Sequence, residues 1–232
     1  MTISTLLRRL AVTAAALSGL VSAPVVLAAG PSVPLDTFPV TKVNDVAALQ
    51  NGAKVFMNYC LGCHSISQVR YNKLRDLGLN EDQIKGNLIL TQAKFGDPIL
   101  TTLPLKGAKE WFGKTPPDLS LTARSRSSGA GTGGDWIYTY MRTYYEDSAR
   151  PTGWNNKVYP AVGMPHVLWE VQKTLPKSDY DNLVADLTAF LVWVAEPVAQ
   201  TRKQVGVWVL LFLALFFVFA WRLNAAFWKD IK

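Results

Sequence analysis

Both cysteines of this 232-residue chain lie in one short motif, "CLGCH", which runs from residue 60 to residue 64. Cys60 and Cys63 are three positions apart, and His64 follows directly. A cluster of this kind is typical of three sites: a redox dithiol, a zinc knuckle, or a haem attached through both sulfurs. Because each site requires a different scaffold, the residues around the motif decide what the chain can fold into.

The residues before the motif predict a helix that runs directly into Cys60. Apolar side chains recur at helical spacing over residues 46–57. A redox dithiol usually lies at the start of a helix that follows a strand, where the helix N-terminus lowers the thiol pKa. Because Cys60 comes at the end of a predicted helix, the pattern does not favour a dithiol.

A structural zinc ion requires four ligands, and the cysteines and histidines of the sequence are Cys60, Cys63, His64 and His166. Adjacent Cys63 and His64 are poorly placed to bind one tetrahedral ion together. The third site fits best, since C-x-x-C-H is the attachment motif of c-type haem. Two thiols on one helical turn can each add to a vinyl group of the porphyrin, and His64 then lies beneath the iron. The motif therefore predicts one covalently attached haem c.

The iron of such a haem needs a sixth ligand or an open position, and four side chains are candidates. Met57 lies one turn before Cys60 on the same predicted helix and cannot reach the other face of the haem. Met141 lies within an aromatic helix candidate, where packing is its expected role. Met164 lies in "AVGMPH", between a glycine and a proline, which suits a fixed ligand loop. The local sequence favours Met164, with His166 as the alternative; bis-histidine ligation gives a lower potential.

Two apolar segments flank the central region and predict contact with a membrane. Residues 205–221 form a 17-residue run without a charge, which as a helix would span about 26 Å. We interpret this run as a transmembrane helix, with residues 222–232 as a cytoplasmic tail. Residues 1–28 have the basic start, apolar centre and small-residue end of a cleaved secretory signal peptide, although an N-terminal membrane anchor is the alternative. The exported domain would then lie on the periplasmic side of the inner membrane.

The charge distribution gives no indication of nucleic-acid binding. The formal net charge is +7, but residues 30–200 hold 17 Lys and Arg against 16 Asp and Glu. A nucleic-acid-binding domain would show a basic face on its globular part. The excess of basic residues lies instead beside the two apolar segments.

Between the apolar segments the sequence predicts a mainly α-helical domain over residues 29–197, with a link at 198–204. A second helix candidate covers residues 135–145 with Asp135 as its N-cap, and the Ser/Gly run at 125–134 predicts a flexible loop. A third helix would begin with a capping box of Ser178 and Asp181 and end before Pro197. The fold class is thus a c-type cytochrome domain with long loop insertions plus one C-terminal transmembrane helix.

Four segments, in this order, resemble the cytochrome c1 family, which provides the haem-bearing subunit of quinol–cytochrome c reductase. They are "CLGCHS", "PPDLSLTAR", "GMPHVLW" and "FLVWVAEP", and the apolar run follows them. The resemblance covers nearly the whole chain after residue 28. It implies that Cys60 and Cys63 hold the haem and that His64 and Met164 are its axial ligands.

The resemblance also implies further roles. Pro116 and Pro117 would pack on the porphyrin, and Arg124 is a candidate partner of a haem propionate. The partners would be cytochrome b, the Rieske iron–sulfur protein as electron donor and cytochrome c as acceptor, in a dimeric complex. No role is predicted for residues 68–114.

Two other functions share parts of this pattern. A stand-alone membrane-anchored cytochrome c, which carries electrons to a terminal oxidase, would have the same motif and anchor but no permanent partners. A membrane-anchored thiol oxidoreductase would keep Cys60 and Cys63 as free thiols. The sequence contains no recognisable set of catalytic acid, base and nucleophile, so the chain is expected to transfer electrons within an oxidoreductase complex.

Overall fold

The computed structural model describes residues 33–230, and this part of the chain is mainly helical. The predicted signal peptide, residues 1–28, lies outside the described residues. The α-helices are α1 (Val46–Val55), α2 (Glu81–Asn87), α3 (Leu105–Phe112), α4 (Thr122–Ser125), α5 (Gly133–Arg142), α6 (Trp169–Thr174), α7 (Lys177–Ala195) and α8 (Ala199–Phe227).

Two short antiparallel strand pairs lie between the helices. The first pair is β1 (Ile66–Arg70) with β2 (Pro98–Ile99), and the second is β3 (Tyr144–Glu146) with β4 (Trp154–Asn156). Two 3-10 helices, at Val40–Asn44 and Tyr71–Leu77, and a π-helical turn at Phe56–Cys60 complete the described part. The expected mainly α architecture is therefore confirmed, and the strands serve as local braces between loops.

The core is organised around the packing of α1 against α7. Gly52 of α1 makes this approach possible, because a Cβ atom at this position would lie 2.1 Å from the carbonyl oxygen of Asp186 and 2.7 Å from Cβ of Phe190. Only a residue without a side chain fits there. The close approach of the two helices places the end of α1, and the cysteine motif after it, directly on the core.

We expect Gly52→Ala to destabilise the fold by about 3 kcal/mol or more, because the added methyl group forces the two helices apart. Gly86 of α2 provides the matched control, since a Cβ atom there would meet nothing within 4 Å. Gly86→Ala should be stabilising by up to about 1 kcal/mol, because alanine has the higher helix propensity. Chemical denaturation of the two variants checks this; equal stability of both would contradict the packing argument.

Charged and polar side chains connect α7 to neighbouring helices at the edge of the core. Asp186 of α7 accepts hydrogen bonds from Lys42 Nζ at 2.5 Å and from Asn51 Nδ2 at 2.7 Å. Arg142 of α5 binds both carboxylate oxygens of Asp181, at 2.6 and 2.8 Å. These bonds connect the 3-10 helix Val40–Asn44, α1 and α5 to α7, which carries both aspartates.

The start of α5 differs from the sequence prediction. Thr132, not Asp135, is the N-cap, and Asp135 closes a capping box by accepting from the backbone N–H of Thr132. Gly133 lies against the backbone of α4, where a Cβ atom would be 1.9 Å from the carbonyl oxygen of Ala123. The Ser/Gly run predicted as a flexible loop begins with the last residue of α4, forms a bridge between Ser128 and Gly131, and ends in the first turn of α5. Close packing requires glycine at position 133, whereas a Cβ atom at Gly129 would meet nothing within 4 Å.

The predicted capping box at the start of α7 is also wrong. The helix begins at Lys177, directly after Pro176, and no side chain caps it. The hydroxyl of Ser178 contacts Asp179, while the carboxylate of Asp181 is held by Arg142. Tertiary pairing of Asp181 therefore replaces the local cap that the sequence favoured. The helix ends at Ala195, as the proline at 197 predicts.

The C-terminal helix α8 is longer than the apolar run from which it was predicted. Within its candidate membrane-spanning part, Thr201–Phe227, the most apolar 18-residue window has a mean hydropathy of 2.3, and none of that window is buried against the other described residues. Twenty-seven residues extend about 40 Å as an α-helix. An apolar helix of this length, left uncovered by the rest of residues 33–230, is suited to cross a bilayer. It takes up most of the predicted link at 198–204.

Candidate haem site

A cleft that is partly open to solvent lies beside the cysteine motif. We refer to it as the CLGCH cleft. The cleft is lined by Tyr59, Cys60, Cys63, His64, Phe112, Lys114, Thr115, Pro116, Pro117, Gly163, Met164, Pro165 and Val167. Segments from three separate regions of the chain thus meet around one largely apolar space.

The helix predicted before the motif places the two cysteines. After α1 the chain continues in a π-helical turn, Phe56–Cys60, whose last residue is the first cysteine. The backbone N–H groups of Cys63 and His64 then both donate to the carbonyl oxygen of Cys60, at 3.0 and 2.8 Å. This tight turn brings both sulfurs and the imidazole to the same cleft.

The imidazole of His64 is held in the orientation that a metal ligand requires. Its Nδ1 lies 2.7 Å from the carbonyl oxygen of Pro117, which can only accept a hydrogen bond, so Nδ1 carries the ring proton. The lone pair of Nε2 is therefore available for a metal ion. Burial lowers the pKa of His64, against the opposing effects of the Pro117 carbonyl and Asp118, so the ring is neutral at physiological pH.

The surroundings of Cys60 do not suit a redox dithiol. Burial, with a smaller contribution from Cys63, raises the pKa of the Cys60 thiol to about 12. An attacking dithiol cysteine instead has a lowered pKa, since the thiolate is the nucleophile. A zinc knuckle is not supported either: among residues 33–230, no group of three or more His, Cys, Asp or Glu side chains is arranged to hold a metal ion.

Met164 reaches the CLGCH cleft on a braced loop. The guanidinium of Arg150 donates to the carbonyl oxygen of Ala161 at 2.9 Å, and the side-chain oxygen of Asn155 accepts from the N–H of Ala161 at 3.0 Å. Ala161 itself has a φ of 59°, a conformation that costs a non-glycine residue about 1–2 kcal/mol. These two bonds hold the strained residue and so fix the loop that carries the thioether.

The other candidate ligands lie outside the cleft lining. Met57 and Met141 are both buried in the core. His166 is also buried: its Nε2 lies 2.5 Å from Oε1 of Gln172, and its ring stacks on Tyr144 with centroids 4.7 Å apart. The structure therefore brings Met164, and not His166, together with the cysteine motif.

The structure places the remaining predicted haem contacts differently. Pro116 and Pro117 line the cleft, and the carbonyl of Pro117 is the partner of His64. Arg124 is not among the lining residues; its guanidinium is 62% exposed and lies 3.5 Å from the carboxylate of Glu196. A propionate contact by Arg124 stays a prediction that the geometry of the cleft does not favour.

Three lining residues had not been singled out from the sequence. Tyr59 directly precedes the first cysteine, and this position next to the motif is the sequence feature that indicates a place in the cleft. Phe112 ends α3 and Lys114 follows it, in a region without a distinctive motif. Lys114 adds a positive charge to a mostly apolar lining, and its side chain passes next to Gly163, close to Met164.

The residues present fit a haem. The CLGCH cleft combines two cysteines, a neutral histidine with its Nε2 free, a thioether and apolar walls. This combination defines a c-type cytochrome. The chain belongs to the cytochrome c1 family, whose model matches residues 37–231. The family gives the chain a c-type haem and a role in electron transfer.

Two relatives named cytochrome c1 agree with this assignment, and a third carries a different name. Cytochrome c1 of Allochromatium vinosum is 40% identical over 217 residues, which cover 82% of this chain and 86% of that protein. Cytochrome c1 of Rhodospirillum rubrum is 29% identical over 230 residues, covering 81% of this chain and 83% of that one. A protein of Nitrosomonas europaea named ammonia monooxygenase gamma subunit is 40% identical over 219 residues, covering 87% and 91%.

Proposed function

We propose that the chain is the haem-bearing electron-transfer subunit of a membrane-bound quinol–cytochrome c reductase. One observation carries the proposal: the CLGCH cleft joins the cysteine motif to Met164, a hundred positions further along the chain. The intervening segments supply the prolines that line the cleft and the carbonyl that orients His64. Such an arrangement serves a redox centre that must be held rigidly and shielded from water.

Six residues of the cleft have a role in this proposal. Cys60 and Cys63 would hold a single haem c through thioether bonds, and His64 and Met164 would bind its iron. When bound, the haem supplies one-electron chemistry, and a His/Met ligand pair favours a high potential. With His64 and Met164 both serving as iron ligands, the chain itself would supply the groups that an external ligand would otherwise replace. Pro116 and Pro117 exclude water from one side of the cleft.

The proposed partners follow from the family. The chain would accept an electron from a Rieske iron–sulfur protein, pass it to a cytochrome c, and associate with cytochrome b in a dimeric complex. The apolar, uncovered surface of α8 supports a permanent place in the membrane. The haem domain would face the periplasmic side of the inner membrane, after removal of residues 1–28. Val205 and the residues after it would anchor it.

A reduced-minus-oxidised optical spectrum tests the complex. The protein would be purified in mild detergent through a C-terminal tag and treated with quinol. We expect b-type bands beside the c-type band, with both reduced by quinol. A c-type band without b-type bands, which quinol does not reduce, would instead support the stand-alone electron shuttle. Absence of a c-type band would contradict the haem assignment itself.

A further inference from the structure

Met164 has a hydrogen-bonding partner to which no role has been given. The hydroxyl of Tyr140, on α5, lies 3.6 Å from Sδ of Met164. This distance is within the range of a hydrogen bond to the large sulfur atom, and a thioether can act as a weak acceptor. Tyr140 is only 8% exposed, and its ring stacks on Trp136 with centroids 4.8 Å apart. Packing thus holds the hydroxyl at the sulfur.

The neighbouring Tyr144 determines where the proton of Tyr140 points. Tyr144 has one hydroxyl proton and two acceptors nearby: Oη of Tyr140 at 2.6 Å and the carbonyl oxygen of Met164 at 3.4 Å. The shorter contact takes the proton, since hydrogen bonds between hydroxyl groups are strongest near 2.7 Å. Tyr140 is then an acceptor from Tyr144, and its own proton is free for the sulfur. Donation along such a chain strengthens each bond in turn.

We propose that Tyr140 is a positioning residue for the sixth ligand, and that its hydrogen bond to Met164 Sδ raises the redox potential of the site. The proposal rests on the proposed function, in which Met164 binds the haem iron. A thioether sulfur has two lone pairs, so the bond from Tyr140 occupies one and directs the other to the iron. The same bond withdraws electron density from the sulfur. The sulfur then becomes a weaker electron donor. This change destabilises ferric iron more than ferrous iron, so it favours the reduced state.

The test compares Tyr140→Phe with a matched control, Tyr180→Phe, in the intact holoprotein. Tyr180 is also buried, and its hydroxyl donates to the carbonyl oxygen of Met141 at 2.8 Å. Both variants lose one buried hydroxyl, but only the first loses a bond to Met164. At a fixed solution potential, we expect Tyr140→Phe to lower the ratio of reduced to oxidised haem by several-fold, up to about tenfold. A tenfold change corresponds to a decrease of about 59 mV in the redox potential for one electron. Tyr180→Phe should leave this ratio within twofold of the parent.

A second variant, Tyr144→Phe, keeps the proposal testable if Tyr140→Phe fails to fold. It removes the donor to Tyr140 and should lower the same ratio by a smaller factor. The red-region absorption band of the sulfur–iron bond is recorded for each protein. If the parent shows the band and Tyr140→Phe matches Tyr180→Phe in potential, the role of Tyr140 is wrong while the ligand assignment stands. If the parent lacks the band, the ligand assignment is wrong and this proposal fails with it.

Discussion

Replacement of Met164 by leucine should abolish the red-region absorption band of the sulfur–iron bond in the oxidised protein. Leucine has nearly the same volume as methionine, so the cleft keeps its shape while the iron loses its thioether ligand. The potential should fall as well, because the thioether favours ferrous iron. Optical spectra and a redox titration of the purified variant measure both effects.

Met141→Leu is the control for this experiment. Met141 is a buried methionine of α5 that does not line the CLGCH cleft, so its replacement changes packing but not ligation. The band should persist in full. Loss of the band in Met141→Leu, or its survival in Met164→Leu, would show that the sixth ligand is misassigned.

Replacement of both Cys60 and Cys63 by serine should reduce covalently bound haem below detection. The two sulfurs are the attachment points, and without the haem the apolar lining of the cleft is left open to water. We expect the apoprotein to be degraded after export, so its steady-state amount should fall many-fold. Haem staining of a denaturing gel and an immunoblot of the tag measure the two losses.

Tyr59→Phe serves as the matched control for the cysteine variant. Tyr59 lines the same cleft next to Cys60 and is 43% exposed, so loss of its hydroxyl costs little stability. Haem staining should equal that of the parent. Covalent haem in the double serine variant would contradict the attachment model, whatever the stability of that variant.

Features with a local or periodic signal could be predicted from the sequence. The helical spacing over residues 46–57 gave α1 and its approach to Cys60, and the uncharged run gave α8, although the helix extends beyond the run at both ends. The glycine and proline around Met164 indicated a ligand loop, and the loop does reach the cleft. In each case neighbouring residues carry the whole signal.

Features that depend on contacts between distant segments could not be predicted. The bond between His64 and the carbonyl of Pro117 joins residues 53 positions apart and uses a backbone group, which any residue would supply. Lys114 lines the cleft although it lies 50 positions after His64 in the sequence. Asp181 pairs with Arg142 across 39 positions, and this pairing replaced the predicted capping box. Tyr140 was interpreted as part of an aromatic helix, since nothing local links its hydroxyl to Met164.

Mass spectrometry of the peptide that contains the CLGCH motif tests whether Cys60 and Cys63 hold a haem covalently. The purified protein would be denatured, treated with a thiol-alkylating reagent and digested with a protease. We expect one peptide that carries a single haem, with the sulfurs of Cys60 and Cys63 both present as thioethers and neither alkylated. A peptide without haem, with two alkylated cysteines, would contradict the assignment of this chain's site as a covalent haem centre.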